Sequence, residues 1–373
     1  MTVSETHARM ALACVLEAGQ QRWDAEVAQQ GAEAVWSQML VDATPAGERA
    51  RRLDIEGVSR ETAVRGFRFV HPGSAEWLPA LDDLGSASGV AEIQGGQPLG
   101  LWLAGRMRLD ELGSSGVAIV GARAATEYGV TAASELAAGL AEAGTVVVSG
   151  GAFGIDAAAH RGALAVDGAT IAVMACGLDG LYPTGNDALL RRIRSEHLVV
   201  SEYPPGSRPA RHRFLTRNRL IAAMASATVI VEAAARSGAK NTVAWAQALG
   251  RPVLAVPGPV TSALSVTPHR LIRDAHAALV TSAQDVLAEL APLGVLQPPL
   301  LDPQGRPTDD LDPTELAVRE ALPARRAISV DELCHLAGLP IGECLGVLAA
   351  LAERGHVEAL GDGRWRLAKD AAR

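Results

Sequence analysis

Aromatic residues are scarce in this 373-residue chain: Phe, Trp and Tyr together make up 3% of it, with three tyrosines and four phenylalanines. Hydrophobic residues are 48%, so the core has to be built mostly from Ala, Val and Leu. Basic residues are outnumbered, giving a formal charge of −8, and any contact with nucleic acid must therefore come from a patch rather than from a global field. The four cysteines, Cys14, Cys176, Cys334 and Cys344, share no metal spacing and read as reduced thiols of a cytoplasmic protein. No run of 18 apolar residues exists, so no membrane span is expected, and the first twenty residues lack the basic start and apolar stretch of a signal peptide. An ATP-hydrolysing P-loop is absent. Ser149, Ser201 and Ser237 lack the Gly-x-Ser-x-Gly elbow of a hydrolase. No His/Cys/Asp cluster has metal spacing. Neither a catalytic residue, a metal nor a cofactor is expected. A last absence is local: no Asp or Glu occurs between Glu202 and Glu232.

That acid-free stretch holds five arginines, Arg208, Arg211, Arg213, Arg217 and Arg219, spaced around Phe214. Arginine forks grip phosphates and an aromatic ring can stack on a base, which together suggest single-stranded nucleic acid.

Three regions separate along the chain. Residues 1–108 show helical periodicity in Ala8–Leu16 and Ala25–Met39, followed by Pro-containing loops, and read as a small helical domain with a connector. Residues 109–291 alternate short β-branched runs with helices. The strands are expected at Val117–Val120, Val146–Ser149, Thr170–Cys176, Leu198–Glu202, Ala227–Val231, Pro252–Val256 and Ala278–Thr281. Continuous apolar runs of this kind mark a parallel sheet buried on both faces, and the alternation predicts a Rossmann-like, doubly wound α/β fold. Residues 292–313 are a Pro-rich tether. Residues 314–373 read as three helices and a hairpin around Gly361-Asp362-Gly363, the pattern of a winged helix.

Ligands of open α/β sheets bind beyond the carboxyl ends of the strands. All three tyrosines and two of the four phenylalanines fall in those loops, a placement core packing does not explain. The turn Gly150-Gly151-Ala152-Phe153-Gly154 is expected to present backbone N–H groups to an anion at a helix start. A dinucleotide is not expected, because the first turn is not Gly-x-Gly-x-x-Gly and the second strand ends without an acid for ribose hydroxyls. Asp156 and His160 lie four apart on one helical face and could do proton chemistry. A helix-capping Asp and a packed His are the commoner arrangement.

These stretches resemble the DNA-processing protein A family (DprA, also called Smf). The matching residues include Val117-Ala-Ile-Val-Gly-Ala-Arg123, Ser149-Gly-Gly-Ala-Phe-Gly-Ile-Asp156, Gly177-Leu-Asp-Gly-Leu-Tyr-Pro183, Ser201-Glu-Tyr-Pro-Pro-Gly206, Phe214-Leu-Thr-Arg-Asn-Arg219, Arg236-Ser-Gly238 and Val256-Pro-Gly-Pro259. The resemblance implies a homodimer that binds and protects single-stranded DNA and loads the RecA recombinase onto it during natural transformation. It implies a SAM-like or helix-hairpin-helix-like head and a winged-helix tail. The family's Gly-Ser-Arg turn falls on Gly121, Ala122 and Arg123, and its Phe-x-x-Arg-Asn-Arg on Phe214, Arg217, Asn218 and Arg219. With Gly150, Gly151, Phe153, Gly154, Arg211, Arg213 and Lys240, these are the expected DNA contacts. Ala122 lacks the family's hydroxyl, and Phe153 stands where an arginine is usual.

Two rivals remain open at this point. One is an enzyme resembling nucleoside-monophosphate phosphoribohydrolases on the same fold, although their Pro-Gly-Gly-x-Gly-Thr-x-x-Glu hallmark is missing around Arg236–Trp245. The other is a RecA-binding scaffold that touches no DNA. The third tail helix, Ile341–Arg354, carries Glu343 and Glu353 against Arg354 alone, a poor charge balance for phosphates that favours a protein contact or a weak DNA contact.

Overall fold

Seven short strands lie side by side in the order their connections demand. In the computed structural model, which describes residues 3–87, 90, 95–113, 115–291, 311–323 and 326–368, the chain divides into two units, Met1–Val295 and Leu296–Arg373.

The first unit opens with five helices, α1 (Glu5–Val15), α2 (Gln21–Gln30), α3 (Ala32–Val41), α4 (Pro45–Arg52) and α5 (Ile55–Val64). Ser4, Thr44 and Asp54 cap α1, α4 and α5 with their side chains, satisfying N–H groups that a helix start leaves unpaired. Leu12, Val35, Trp36 and Met39 close a core between these helices. Two strands then follow, β1 (Arg68–Val70) and β2 (Leu101–Gly105), and next the alternating series: β3 (Gly116–Val120), α6 (Glu127–Glu142), β4 (Val146–Ser149), α7 (Ile155–Ala165), β5 (Thr170–Met174), α8 (Asp187–Glu196), β6 (Leu198–Ser201), α9 (Arg211–Ala223), β7 (Ala227–Ile230), α10 (Ala239–Ala248), β8 (Val253–Ala255), α11 (Val266–Arg273), β9 (Ala278–Leu279) and α12 (Ala283–Leu290).

The sheet order is β1-β2-β6-β5-β4-β3-β7-β8-β9. From β6 to β9 every pairing is parallel, with Val117 opposite Val147 on one side and Ala227 on the other. β3 to β8 are buried on both faces, the Val- and Ala-rich pattern that a double layer of helices requires, while the edge strand β9 is partly exposed. One face packs against α9 and α10, with Leu220, Val243 and Trp245 at its centre. The other packs against α6, α7 and α12 through Leu136, Leu140, Ala158 and Val286.

The mixed α/β, mostly parallel architecture is as expected. The boundary expected after residue 108 is not where the structure divides. β2 pairs antiparallel with β6 and β1 with β2, so the connector contributes the outer edge of the main sheet. Trp102, fully buried on β2, donates from its indole to the Thr62 hydroxyl of α5 (3.2 Å), tying head and sheet into one unit.

In the second unit α13 (Pro313–Ala321), β10 (Ile328–Ser329), α14 (Val330–Ala337), α15 (Ile341–Glu353), β11 (Val357–Ala359) and β12 (Arg364–Leu367) enclose a small core of Val318, Leu333, Leu348 and Leu351. The expected hairpin is β11–β12; β10 is an additional strand on its other side. Most of the Pro-rich tether lies outside the described residues. No single helix among the described residues is long and apolar enough to cross a membrane.

Candidate nucleic-acid interface

All seven parallel strands point their carboxyl ends to one edge of the sheet. Chain order reverses between β3, whose successor β4 lies to one side, and β7 on the other. Such a switch point leaves a crevice, because the connections leave in opposite directions. Here it is a cleft of about 790 Å³, with Gly121–Ala124 after β3 on one wall, Ala234, Arg236–Ala239, Asn241 and Thr242 after β7 on the other, and the start of α9 across its mouth.

Its surface combines cations with aromatic rings. The Arg123 guanidinium carbon lies 5.1 Å from the centre of the half-buried Phe214 ring, within cation–π range. Tyr182, 42% exposed, brings its ring centre to 5.8 Å from that of Phe214, the two planes tilted by 53°. Arg123, Arg211, Arg236 and Lys240 are exposed. Lys240 lies outside the cleft lining, and its ammonium donates to the Ala235 carbonyl at 3.3 Å. Among the described residues, the side chains of Arg123, Arg211 and Arg236 make no ion pair. Elsewhere arginines are commonly paired, as in Arg9–Glu5, Arg68–Glu76 and Arg192–Glu196. The start of α9 is electrostatically awkward for the same reason. It has no side-chain cap and no acid in its first turn, and places Arg211, His212 and Arg213 at the positive end of the helix dipole. Glu17 offsets part of that conflict by pairing with His212 and Arg213, and leaves Arg211 without an acid partner among the described residues.

The deeper arginines do different work. Arg217, 4% exposed, donates from Nη1 to the carbonyls of Gly150 (2.8 Å) and Val173 and from Nε to Asn218 Oδ1 (3.3 Å). Arg219, 0% exposed, is paired with Glu202 at 2.7 Å. The expectation that Arg219 touches DNA is therefore corrected, since an enclosed guanidinium with a buried counter-ion offers nothing to a ligand at the surface. Arg217 borders the cleft floor but spends its donors on sheet-end carbonyls. Asn218, also buried, lines the cleft and donates to Gly238 O (3.4 Å) and Asn241 Oδ1 (3.3 Å), which ties α9 to the start of α10. Arg213 is held by Glu17 of the loop after α1 through bonds of 2.8 and 3.1 Å, and lies 4.7 Å above the Tyr203 ring. Burial works to raise the Glu17 carboxyl, but the bonds and charges of Arg213 and His212 outweigh it and hold it below its ordinary value.

The glycine turn also departs from expectation. Its amides serve the chain's own Asp156, whose Oδ2 accepts from Ala152 N at 3.4 Å with a further backbone bond at Gly150. Gly150 and Gly151 are buried. A Cβ at Gly150 would collide with the Arg217 guanidinium, and Gly154, at φ +74°, would meet the Ala122 carbonyl. The turn is thus shaped by close packing of three loops around Asp156, not by an open nest for phosphate. Gly121 borders the cleft. Phe153, the turn's one exposed side chain at 47%, lies over Gly185 outside the cleft. Burial raises the Asp156 carboxyl, opposed by Arg217. His160 does not meet Asp156. Its Nδ1 bonds to Thr170 Oγ1 at 2.7 Å, and burial pushes it down to about 3, so it is neutral. The capping Asp and packed His are what the structure holds, and the pair is not arranged for proton transfer. No cluster of metal-ligating side chains occurs among the described residues.

Tyr182, Arg236 and Thr242 line the cleft and were not among the expected contacts; the first two stood in motifs already singled out. Nothing in the sequence near Glu17 points to Arg213, 196 residues away.

A family model for the DNA recombination-mediator protein A matches residues 85–291, and a DprA winged-helix model matches residues 302–363. The chain belongs to the DprA family. A Mycobacterium tuberculosis chain assigned as a DNA processing protein DprA is 50% identical over 309 residues, covering 83% of this chain and 79% of that one. The DprA of Streptococcus pneumoniae is 46% identical over 181 residues, 48% of this chain and 64% of the relative. An X-ray structure of the Streptococcus pneumoniae protein superposes with a TM-score of 0.66 at 33% identity, covering 78% of this chain and 99% of that one. A structure of DNA processing protein A from Helicobacter pylori, which describes its single-stranded DNA binding mode, gives a TM-score of 0.51 at 29% identity over 60% of this chain and 95% of that one. The DprA relatives are DNA-processing proteins, and the second unit is a winged helix.

Proposed function

We infer that the cleft at the β3/β7 switch point binds single-stranded DNA without sequence preference, and that the protein protects such strands and hands them to the RecA recombinase during natural transformation. One observation carries the reading: Arg123, Arg211 and Arg236, which make no ion pair among the described residues, line one cleft with the Phe214 and Tyr182 rings in a chain with a net charge of −8. Exposed ring faces suit unpaired bases and the unpaired forks suit phosphates, whereas a duplex hides its bases. The Helicobacter pylori relative supports the choice of single strands. Gly121, Arg123, Arg211, Phe214 and Lys240 are the proposed surface contacts, and Arg217 and Asn218 shape the floor beneath them. The protein acts without turnover of its own, as a dimer in the cytoplasm. The edge strand β9, with Leu279 51% exposed, and the Val253–Val260 segment, with Val260 89% exposed, are the proposed dimer contact.

A gel-shift with oligo-dT against a duplex at two salt concentrations tests this. Tighter binding to the single strand is expected, with a salt slope that flattens in Arg123→Ala. Equal affinity for both forms overturns the reading.

A further inference from the structure

A second basic groove starts on the far side of the Tyr182 loop. It has a volume of about 450 Å³ and is bordered by the Asp179–Leu181 loop, by Arg65 at the end of α5, and by Arg191 and Arg194 of α8. Asp187, Arg191 and Arg194 fall at i, i+4 and i+7, so one face of α8 forms the groove's long wall. The acids at this groove are already engaged: Asp179 accepts from Gly206 N at 2.8 Å and Asp187 from Arg191 Nε at 2.6 Å. Arg194 is half-buried and makes no hydrogen bond or ion pair among the described residues. A guanidinium drawn partly out of water with no partner is left short of one.

The ridge between the groove and the cleft is aromatic. Leu181 lines the groove and its neighbour Tyr182 lines the cleft. Phe153 lies against Gly185, in the short turn Thr184–Asn186 that leads into α8. Tyr182 and Phe153 are 42% and 47% exposed in a chain with only 3% aromatic residues. Neither ring is needed by a core. Arginines on both sides of a ridge of exposed rings repeat, on a larger scale, the alternation of phosphate grip and base stacking that a single strand requires.

We propose that a single DNA strand leaving the cleft crosses Tyr182 and Phe153 and continues along α8, where Arg191, Arg194 and Arg65 take its phosphates. The proposal rests on the cleft binding single-stranded DNA and adds a direction and a length to that binding. The Asp187 and Glu61 partners of Arg191 and Arg65 give way to phosphate; both are exposed pairs of little cost to break.

The test compares labelled oligo-dT of about six and about twenty nucleotides, the shorter filling the cleft alone. In the Arg191→Ala/Arg194→Ala variant, the longer oligonucleotide is expected to bind several-fold more weakly, with its salt slope lower by about 1.4, or about 0.7 for each lost phosphate. The shorter should bind as before. Alanine is favoured in a helix and both side chains face solvent or the groove, so the melting temperature reports an intact fold. Phe153→Ala should reproduce the length-dependent loss without the change in slope, because it removes stacking and no charge. Unchanged binding of the longer oligonucleotide, or an equal loss for both lengths, overturns the extended path. If wild-type protein binds neither length, the cleft reading itself has failed, a result distinct from either.

Discussion

Arg211 and Arg219 stand on the same helix, in the same acid-free stretch, and meet opposite surroundings. Arg211 opens α9 in solvent at the mouth of the cleft. Arg219 is 0% exposed, with Glu202 as its counter-ion. Between them the helix passes from surface to interior. Phe214 stacks under Arg123, Arg213 is clamped by Glu17, and Arg217 bonds to sheet-end carbonyls. One run of arginine therefore does two jobs. The buried half fixes where α9 lies on the sheet, and that position sets the geometry of the exposed half. A guanidinium suits both tasks because it cannot lose its charge and offers five donors in a fixed plane.

The largest expected effect belongs to the buried half. Arg219→Ala removes the partner of Glu202 and leaves a carboxylate enclosed without a counter-ion, a change that costs about 3–5 kcal/mol. Chemical denaturation should show this loss in full, and DNA affinity should fall only as far as the folded fraction does. A variant of normal stability that has lost DNA binding would erase the division between the two halves.

A smaller effect tests the same buried group through pH. Asp24 of α2 lies near Arg219 and Glu202, and burial, reinforced by Glu202 and opposed by Arg219, pushes its carboxyl up to about 7 from an ordinary 3.8. The folded chain thus holds a proton between those two values that the unfolded chain has released. Asp24's contribution to stability is accordingly greatest below about pH 4 and is lost as pH rises through about 7. Asp24→Asn should remove that slope and raise stability at neutral pH. Denaturant midpoints measured from pH 4 to 8 decide it, and an identical profile in the variant would detach Asp24 from the network.

In the exposed half, Phe214→Ala should cost about 1–3 kcal/mol of single-strand affinity. Its ring is half-buried and faces Arg123 and Tyr182, not the sheet core, so melting should change little. Binding and melting measured together separate stacking from packing: a large drop in melting temperature with unchanged affinity would move Phe214 to the buried half.

Much of this division was hidden in the sequence, for physical reasons. The parallel strands β3 to β8 were legible because strands covered on both faces must be apolar throughout. β1 and β2 were not, since Arg68–Val70 is only three residues long and Leu101–Gly105 follows Pro- and Gly-containing loops. The cleft's motifs were legible as residue types, but the depth of each side chain was not. α9 carries arginines around its circumference, and which are buried depends on Glu202 and Glu17, supplied by a strand end and a distant helical head. The turn at Gly150–Gly154 has the composition of an anion nest. Only the packed structure shows that Asp156 fills it.

The smallest effect lies at the boundary between the halves, where Arg213 is neither free nor buried. Glu17 is 37% exposed and Arg213 is 21% exposed. Such a pair contributes at most about 1 kcal/mol to stability. Its consequence for function has the opposite sign. Glu17 competes with any phosphate for the Arg213 fork and, through His212 at 3.1 Å, holds a second basic group at the start of α9. Glu17→Gln keeps the side chain's size and removes the charge. The variant should lose little stability and bind oligo-dT more tightly, with a salt slope steeper by about 0.7 for one added phosphate contact. Arg213→Ala should then cancel the gain. Affinity titrations at three salt concentrations on the two single variants and the double measure this directly. If Glu17→Gln weakens binding instead, the head's carboxylate aims Arg213 at the DNA rather than withholding it, and Arg213 belongs with the buried arginines that position the helix.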